Sequence, residues 1–503
     1  MACVGCVTVP PGTQVTNIQP GMGSVVVKVE GGRLALSYVA WTGLTVRNLQ
    51  RDTTYTITPT GTPRAPSLIF VSQLPPGEYR FEKIEGNTAG LLIDLMISNT
   101  ARADIEKQGA LFRVEAGTVT NLGVLHAYLP AEKSDRNLRL APGGTVSDRR
   151  AVFRDLQLDP ALSDKAIGGW SRAPNSAATA IDELKKNAMV TNGRYQIAAD
   201  GSYWVGARTG QVLRRDPSGR WSNFDTGLAA PITAVLPQAN GFMLAGSTGG
   251  LVMHSTDGKR WNDISLPLGG ELVALNAAAN EQIVAVVAQG AAIKVFSSRC
   301  CDQVAWRELS LPAISGTPFL VTAHTLGTKL IVQFSEVAFL STRKQLVINL
   351  DSLEAAYVAP FDAMLPNAQP AAIRNVLCGN DYLSTDGGKT WSRPNQPGSA
   401  LICRSASILY SVSLAGVGWS SSSFSFHRST DRGVSWEERV ARLPEAADVG
   451  GLMTGGHGIV PLPKDGELLL HTGHGRTFFS ADDGKTWTLE REVSDSLYPF
   501  LRK

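Results

Sequence analysis

Charge is scarce in this chain. Only 18% of its 503 residues are Asp, Glu, Lys or Arg, and 47 cations against 44 anions leave a net charge of +3. So even a balance lacks the basic field that draws nucleic acid, and no nucleic-acid partner is expected. Histidine numbers seven and cysteine six, and no cysteine motif repeats at zinc-ligand spacing, so neither metal nor cofactor is expected. No run of about 18 apolar residues occurs, which excludes a membrane-spanning helix. Nucleophile elbows, P-loops and dinucleotide fingerprints are also missing: Gly455-Gly456-His457-Gly458 lacks the helix such a loop needs.

What is present is apolar and rich in turns. Hydrophobic residues make up 43%, enough for several cores, and Gly and Pro together reach about 15%, which favours an all-β chain. The length suggests two to four domains. From about Pro20 the pattern is one of short alternating strands, such as Ser24–Glu30 and Leu34–Val39. A Pro-Gly turn at 76–77 enters a strand with Tyr79 and Phe81 on one face, and Phe112 and Val114 alternate with Arg113 and Glu115. The combination looks like the small β-sandwich domains of bacterial envelope lipoproteins. Between 148 and 190 the pattern changes, and the spacing of Ala178, Ile181 and Leu184 predicts a short amphipathic helix in a connector.

Beyond Asn192 a repeat dominates. Three copies are nearly intact: Ser384-Thr-Asp386-Gly-Gly388-Lys-Thr-Trp391, Ser429-Thr-Asp431-Arg-Gly433-Val-Ser-Trp436 and Ser480-Ala-Asp482-Asp-Gly484-Lys-Thr-Trp487. Ser255-Thr-Asp257-Gly-Lys-Arg-Trp261 is one residue shorter, and Arg214–Trp221 is degenerate. Trp306 marks a sixth copy and Phe339–Arg343 an eroded seventh. Hydroxyl and carboxylate side chains can satisfy turn N–H groups, Gly supplies a positive φ, and Trp closes the hairpin by packing between sheets. The tryptophans fall at steps of 40, 45, 85, 45 and 51 residues, so seven units of about blade size are expected.

The pattern resembles the Asp-box, or bacterial neuraminidase, repeat. The expected architecture is all-β: a disordered stretch at 1–19, a β-sandwich at 20–147, a partly helical connector at 148–190 and, where the boxes and their spacing lie, a seven-bladed β-propeller at 191–503. It places each box at the outer rim between the third and fourth strands of a blade, so Asp257, Asp386, Asp431 and Asp482 are structural and no residue is named as catalytic. Sialidases resemble the chain in these boxes, but their Arg-Ile-Pro segment is absent. Phe112-Arg113 and Phe153-Arg154 do not continue to it. Xyloglucan-type hydrolases pair two such propellers, which one propeller does not reproduce. Similar single propellers, the photosystem II assembly factors, act as docking platforms without chemistry. The expectation is therefore a non-catalytic scaffold in the bacterial cell envelope that binds a protein or glycan by its loop face, with glycoside hydrolysis as the alternative. His457, His474 and Trp419 are its candidate loop-face contacts.

The cysteines bear on location. Val4-Gly5-Cys6 before a Pro/Gly-rich stretch resembles the end of a bacterial lipoprotein signal, which would make Cys6 a lipidated anchor in the periplasm or outer membrane. Incidental cysteines in a disordered terminus are the other reading. Cys378 and Cys403, on neighbouring predicted strands, are either buried thiols or a disulfide of an exported protein.

Overall fold

The computed structural model describes residues 15–30, 37–60, 67–90, 100–104, 109–128, 139–143, 145–159, 161–162, 169–173, 177–186, 190, 195–238, 241–277, 282–289, 292–299, 304–312, 319–326, 328–335, 343–361, 369–370, 376–379, 382–386, 390–398, 400–415, 423–440, 458–471 and 475–493. Two compact units result: Met1–Asn187 with Gly227–Ala230 and Asp495–Lys503, and Ala188–Thr226 with Pro231–Ser494. Cys6, Gly388, Trp419, His457 and His474 lie outside the described residues.

The first unit is built on β1 (Gly23–Glu30), which pairs antiparallel with Ser67–Leu74 and parallel with Val119–Tyr128 at the centre of a five-stranded sheet. A second sheet of six strands carries Ser37–Asn48, Gly77–Gly90 and Leu111–Val114. Val25, Val27 and Val29 on one face of β1 share a core with Leu44, Tyr79, Phe81 and Phe112 of the other sheet. Val26, on the opposite face, packs with Val71, Val152 and Phe153. Burial on both faces is why β1 carries three consecutive valines, Val25 to Val27, rather than a strict alternation.

The second of those faces is covered by a helix that the sequence pattern did not single out, α1 (Val146–Asp155). Thr145 caps it by accepting from the Asp148 N–H at 3.1 Å. Asp155 at its end holds the buried Lys28 ammonium of β1 at 3.1 Å. The expected amphipathic helix is α2 (Ala177–Lys186), which buries Leu184 and packs on Arg139–Gly143.

The second unit is propeller-like: its described residues form seven small antiparallel sheets, six of four strands and one of three, each made of consecutive strands. They span 196–225, 232–263, 271–308, 319–361, 369–384, 400–440 and 459–492. Adjacent sheets share cores. In the third, Ile283, Ala285 and Val287 pack with Leu236 and Leu244 of the second, while Val284 and Val286 pack with Leu330 and Val332 of the fourth. In the seventh, Leu468 and Leu470 face Tyr410 and Phe426 of the sixth, while Leu469 faces Tyr203 and Leu213 of the first. The series therefore returns to its start. Side chains alternate along a strand, so a strand buried on both sides must be apolar throughout, as Ile283–Val287 is. The fourth strands, such as Asn262–Asp263 and Arg307–Glu308, are exposed and polar.

Candidate functional site: the box turns and the seams between sheets

The boxes of the second, sixth and seventh sheets join the third strand to the fourth, as between Ser423–Ser429 and Glu437–Val440, and the fifth-sheet box follows that sheet's third strand, Tyr382–Ser384. In that turn Ser429 Oγ accepts from Gly433 N at 2.8 Å and donates to Asp431 Oδ1 at 2.8 Å. Asp431 in turn accepts from the N–H and the hydroxyl of Ser435. The geometry recurs in the seventh sheet with Ser480, Asp482, Gly484 and Thr486, and in the fifth with Ser384, Asp386 and Thr390. In the shorter box Ser255 accepts from Gly258 N, and Asp257 from the N–H groups of Lys259 and Arg260. The degenerate turn keeps the same device with Asp216, Ser218 and Arg220.

These hydrogen bonds favour the ionised form. The Ser435 hydroxyl holds Asp431 at about 2, and the backbone N–H groups of Arg260 and Lys259 lower Asp257. Burial pushes Asp482 up, but the bonds from Thr486 and Ser480 outweigh it and the net shift is downward. A carboxylate held ionised and saturated with turn donors is poorly suited to be a general acid.

The glycines and tryptophans face the next seam. Gly433 and Gly484 have φ of 84° and 82°. A Cβ on Gly484 would run into the Phe426 ring of the preceding sheet, one on Gly433 into Pro394 and one on Gly258 into Phe224. The turn glycine thus serves two needs, a left-handed backbone and close approach to a neighbour. Trp436 and Trp487 pack against cores shared with the preceding sheet, and their N–H groups donate to Gly433 O and Gly484 O at 3.2 and 3.0 Å. Trp306 donates to Ile264 O of the second sheet. Trp391 is half-buried, and Trp261, in the shortened box, buries an N–H with no partner among the described residues.

One placement is corrected. The stretch Phe339–Arg343 does not form the box-equivalent turn of the fourth sheet. It falls between the second strand, Lys329–Ser335, and the third, Arg343–Asn349, and is mostly outside the described residues. The turn to the fourth strand is Asn349–Glu354, where the Asn349 side chain accepts from the N–H of Asp351. An amide oxygen replaces the carboxylate and Leu353 takes a φ of 60°, so a search for Ser-x-Asp and Gly passes over it.

Cys378 and Cys403 form a disulfide of 2.00 Å between the fifth and sixth sheets, inside their shared core. Three further polar pins were not legible in the sequence. Arg215 makes a two-pronged pair with Glu490, at 2.8 and 2.7 Å, joining the first sheet to the seventh, and Trp221 donates to the same carboxylate at 3.0 Å. The buried Arg404 guanidinium donates to the carbonyls of Leu462, Lys464 and Glu467, tying the sixth sheet to the seventh. Tyr410 donates to Asp483 at 2.6 Å, and burial raises its hydroxyl to about 12.

Residues 382–393 match the family model of the BNR/Asp-box repeat. The chain carries that repeat. No curated protein matches it. Solved structures similar to it include YCF48 bound to D1 peptide, at 16% identity, covering 58% of this chain and 90% of that one with a TM-score of 0.38. YCF48 from Cyanidioschyzon merolae is similar at 14% identity, covering 58% and 93%, also with a TM-score of 0.38. The BNR match falls on the fifth sheet's box, where Ser384, Asp386 and Thr390 hydrogen-bond as described.

Proposed function

We propose that this chain is a non-catalytic binding protein whose seven small sheets are the blades of one propeller, preceded by a β-sandwich. The observation that carries the reading is the commitment of the box carboxylates: Asp257, Asp386, Asp431 and Asp482 are all engaged by donors of their own turns. In an antiparallel four-strand meander, loops 1–2 and 3–4 share one end, so the boxes leave the opposite end for recognition. Loops there vary without cost to the blades, which suits a protein or glycan partner.

The site of action we propose is the bacterial envelope, periplasmic or at the outer membrane, with Cys6 as the lipid anchor. The Cys378–Cys403 disulfide supports an oxidising compartment. His457, His474 and Trp419 are proposed as contacts of the loop face. Two measurements test the reading. In a pull-down from envelope extracts, partner recovery is expected to fall with Trp419→Ala or His474→Ala and to persist with Asp431→Asn. On a panel of chromogenic glycosides no turnover is expected; turnover abolished by replacing a pair of acids would make the protein a glycoside hydrolase instead.

A further inference from the structure

Among the described residues each small sheet is made of consecutive strands, and none contains a strand from both ends of the series. Among those residues the first and seventh sheets therefore meet through side chains. Their shared apolar cluster contains Tyr203, Val205 and Leu213 against Val460, Leu462 and Leu469. At its edge lies a half-buried histidine, His471, that ends the second strand of the seventh sheet.

The groups facing His471 come from several strands. From the first sheet, the Tyr203 hydroxyl meets Nε2 at 2.9 Å, with the two rings stacked 5.5 Å apart, and Trp221 stands edge-on at 6.4 Å. Tyr195 lies behind Tyr203 at 5.5 Å between centroids. From the seventh sheet, Thr477 Oγ1 meets Nδ1 at 2.9 Å, and the Arg491 guanidinium lies over the Trp221 ring at 5.6 Å. Glu490, the nearby carboxylate, is engaged by Arg215 and Trp221. The ring thus has a hydroxyl on each nitrogen and a guanidinium for its charged neighbour. A neutral imidazole satisfies both hydroxyls with one donor and one acceptor. An imidazolium would force both hydroxyls to accept and would set a second cation beside Arg491.

We propose that the seam between the first and last sheets is a pH-sensitive latch, closed while His471 is neutral and released when it is protonated. The titration has the required sign. Burial, with Arg491 adding to it, pushes the imidazole down to about 3 in the closed seam. An imidazole in water titrates near ~6.5. Between those values the opened seam binds the extra proton, so acidification favours opening, and closure is fully favoured only above about 6.5.

Hydrogen exchange of the full chain tests the latch at about pH 7.5 and about pH 5, corrected for the intrinsic exchange rate at each pH. On acidification the open population at Tyr203–Gly206 and Leu468–His471 is expected to rise at least about tenfold. At the seam between the second and third sheets, around Leu244 and Ile283, it is expected to stay level. His471→Gln should remove the response. Equal responses at the two seams, no response at Tyr203–Gly206, or an undiminished response in His471→Gln would each overturn the latch. The comparison of two seams within the wild-type chain decides the question even if the glutamine variant does not fold.

Discussion

The two units solve burial in opposite ways. In the first, partners come from far along the chain: Val25 pairs with Ser72 on one side and Thr120 on the other, and two sheets share one aromatic core. In the second, every sheet pairs neighbouring strands, and the apolar side chains are parcelled into smaller clusters along successive seams. A single core is lost as a whole when its centre is cut, whereas a seam can fail alone. The second unit accordingly adds a specific pin at several seams: a disulfide, an arginine on carbonyls, a two-pronged ion pair, or a glycine under a ring.

Four variants and one titration sharpen that contrast. The largest effect is expected from Phe112→Ala, which removes a fully buried ring stacked on Tyr79 at 5.4 Å and tilted against Phe81 at 5.3 Å. It should cost about 4 kcal/mol in urea unfolding and expose β1 to hydrogen exchange as a whole. If only the strand carrying Phe112 loses protection, the first unit is as parcelled as the second. Removing the disulfide by Cys378→Ala with Cys403→Ala opens a link spanning 25 residues and should cost about 3 kcal/mol, with the lost protection concentrated in the fifth and sixth sheets.

Gly484→Ala combines a left-handed backbone with a collision against Phe426 and should cost about 2 kcal/mol, read from the thermal midpoint. Arg432→Gly works in the other direction. Arg432 is exposed and holds a φ of 65° in the turn where the fifth-sheet box has Gly387, so relief of strain should stabilise the protein by under about 1 kcal/mol. A loss of stability instead would mean that the Arg432 side chain contributes to its seam.

The smallest effect is a change of slope in acid. The Asp431 carboxyl is held down at about 2 in the folded turn. Its unfolded counterpart titrates near ~3.9, so its contribution is whole above about pH 4 and is lost as pH falls towards 2. In Asp431→Asn the decline of the thermal midpoint over that window should be shallower than in the wild type.

Much of the second unit was legible because its signals are local. Ser, Asp, Gly and Trp act within one turn, so their spacing announces a hairpin whatever surrounds it, and the tryptophan period announces the repeat. Legibility failed where another chemistry did the same work. Asn349 replaces a box carboxylate without its motif, and α1 shows no clear apolar period because Val152 and Phe153 are consecutive and both buried. Of the candidate contacts, His457, His474 and Trp419 lie outside the described residues, so the loop face rests on topology.

By itself the sequence determined an all-β chain, the repeating hairpin with its hydrogen-bonding residues, and the positions where an indole would close a turn. Those features depend on groups a few residues apart, and short-range geometry suffices to specify them. Which faces meet was decided only by the tertiary structure. Arg215 reaches Glu490 across 275 residues and Tyr203 reaches His471 across 268, and no local period records either pairing. Such contacts exist only once the series of sheets has returned to its beginning, since the free energy that selects them comes from burying both partners together.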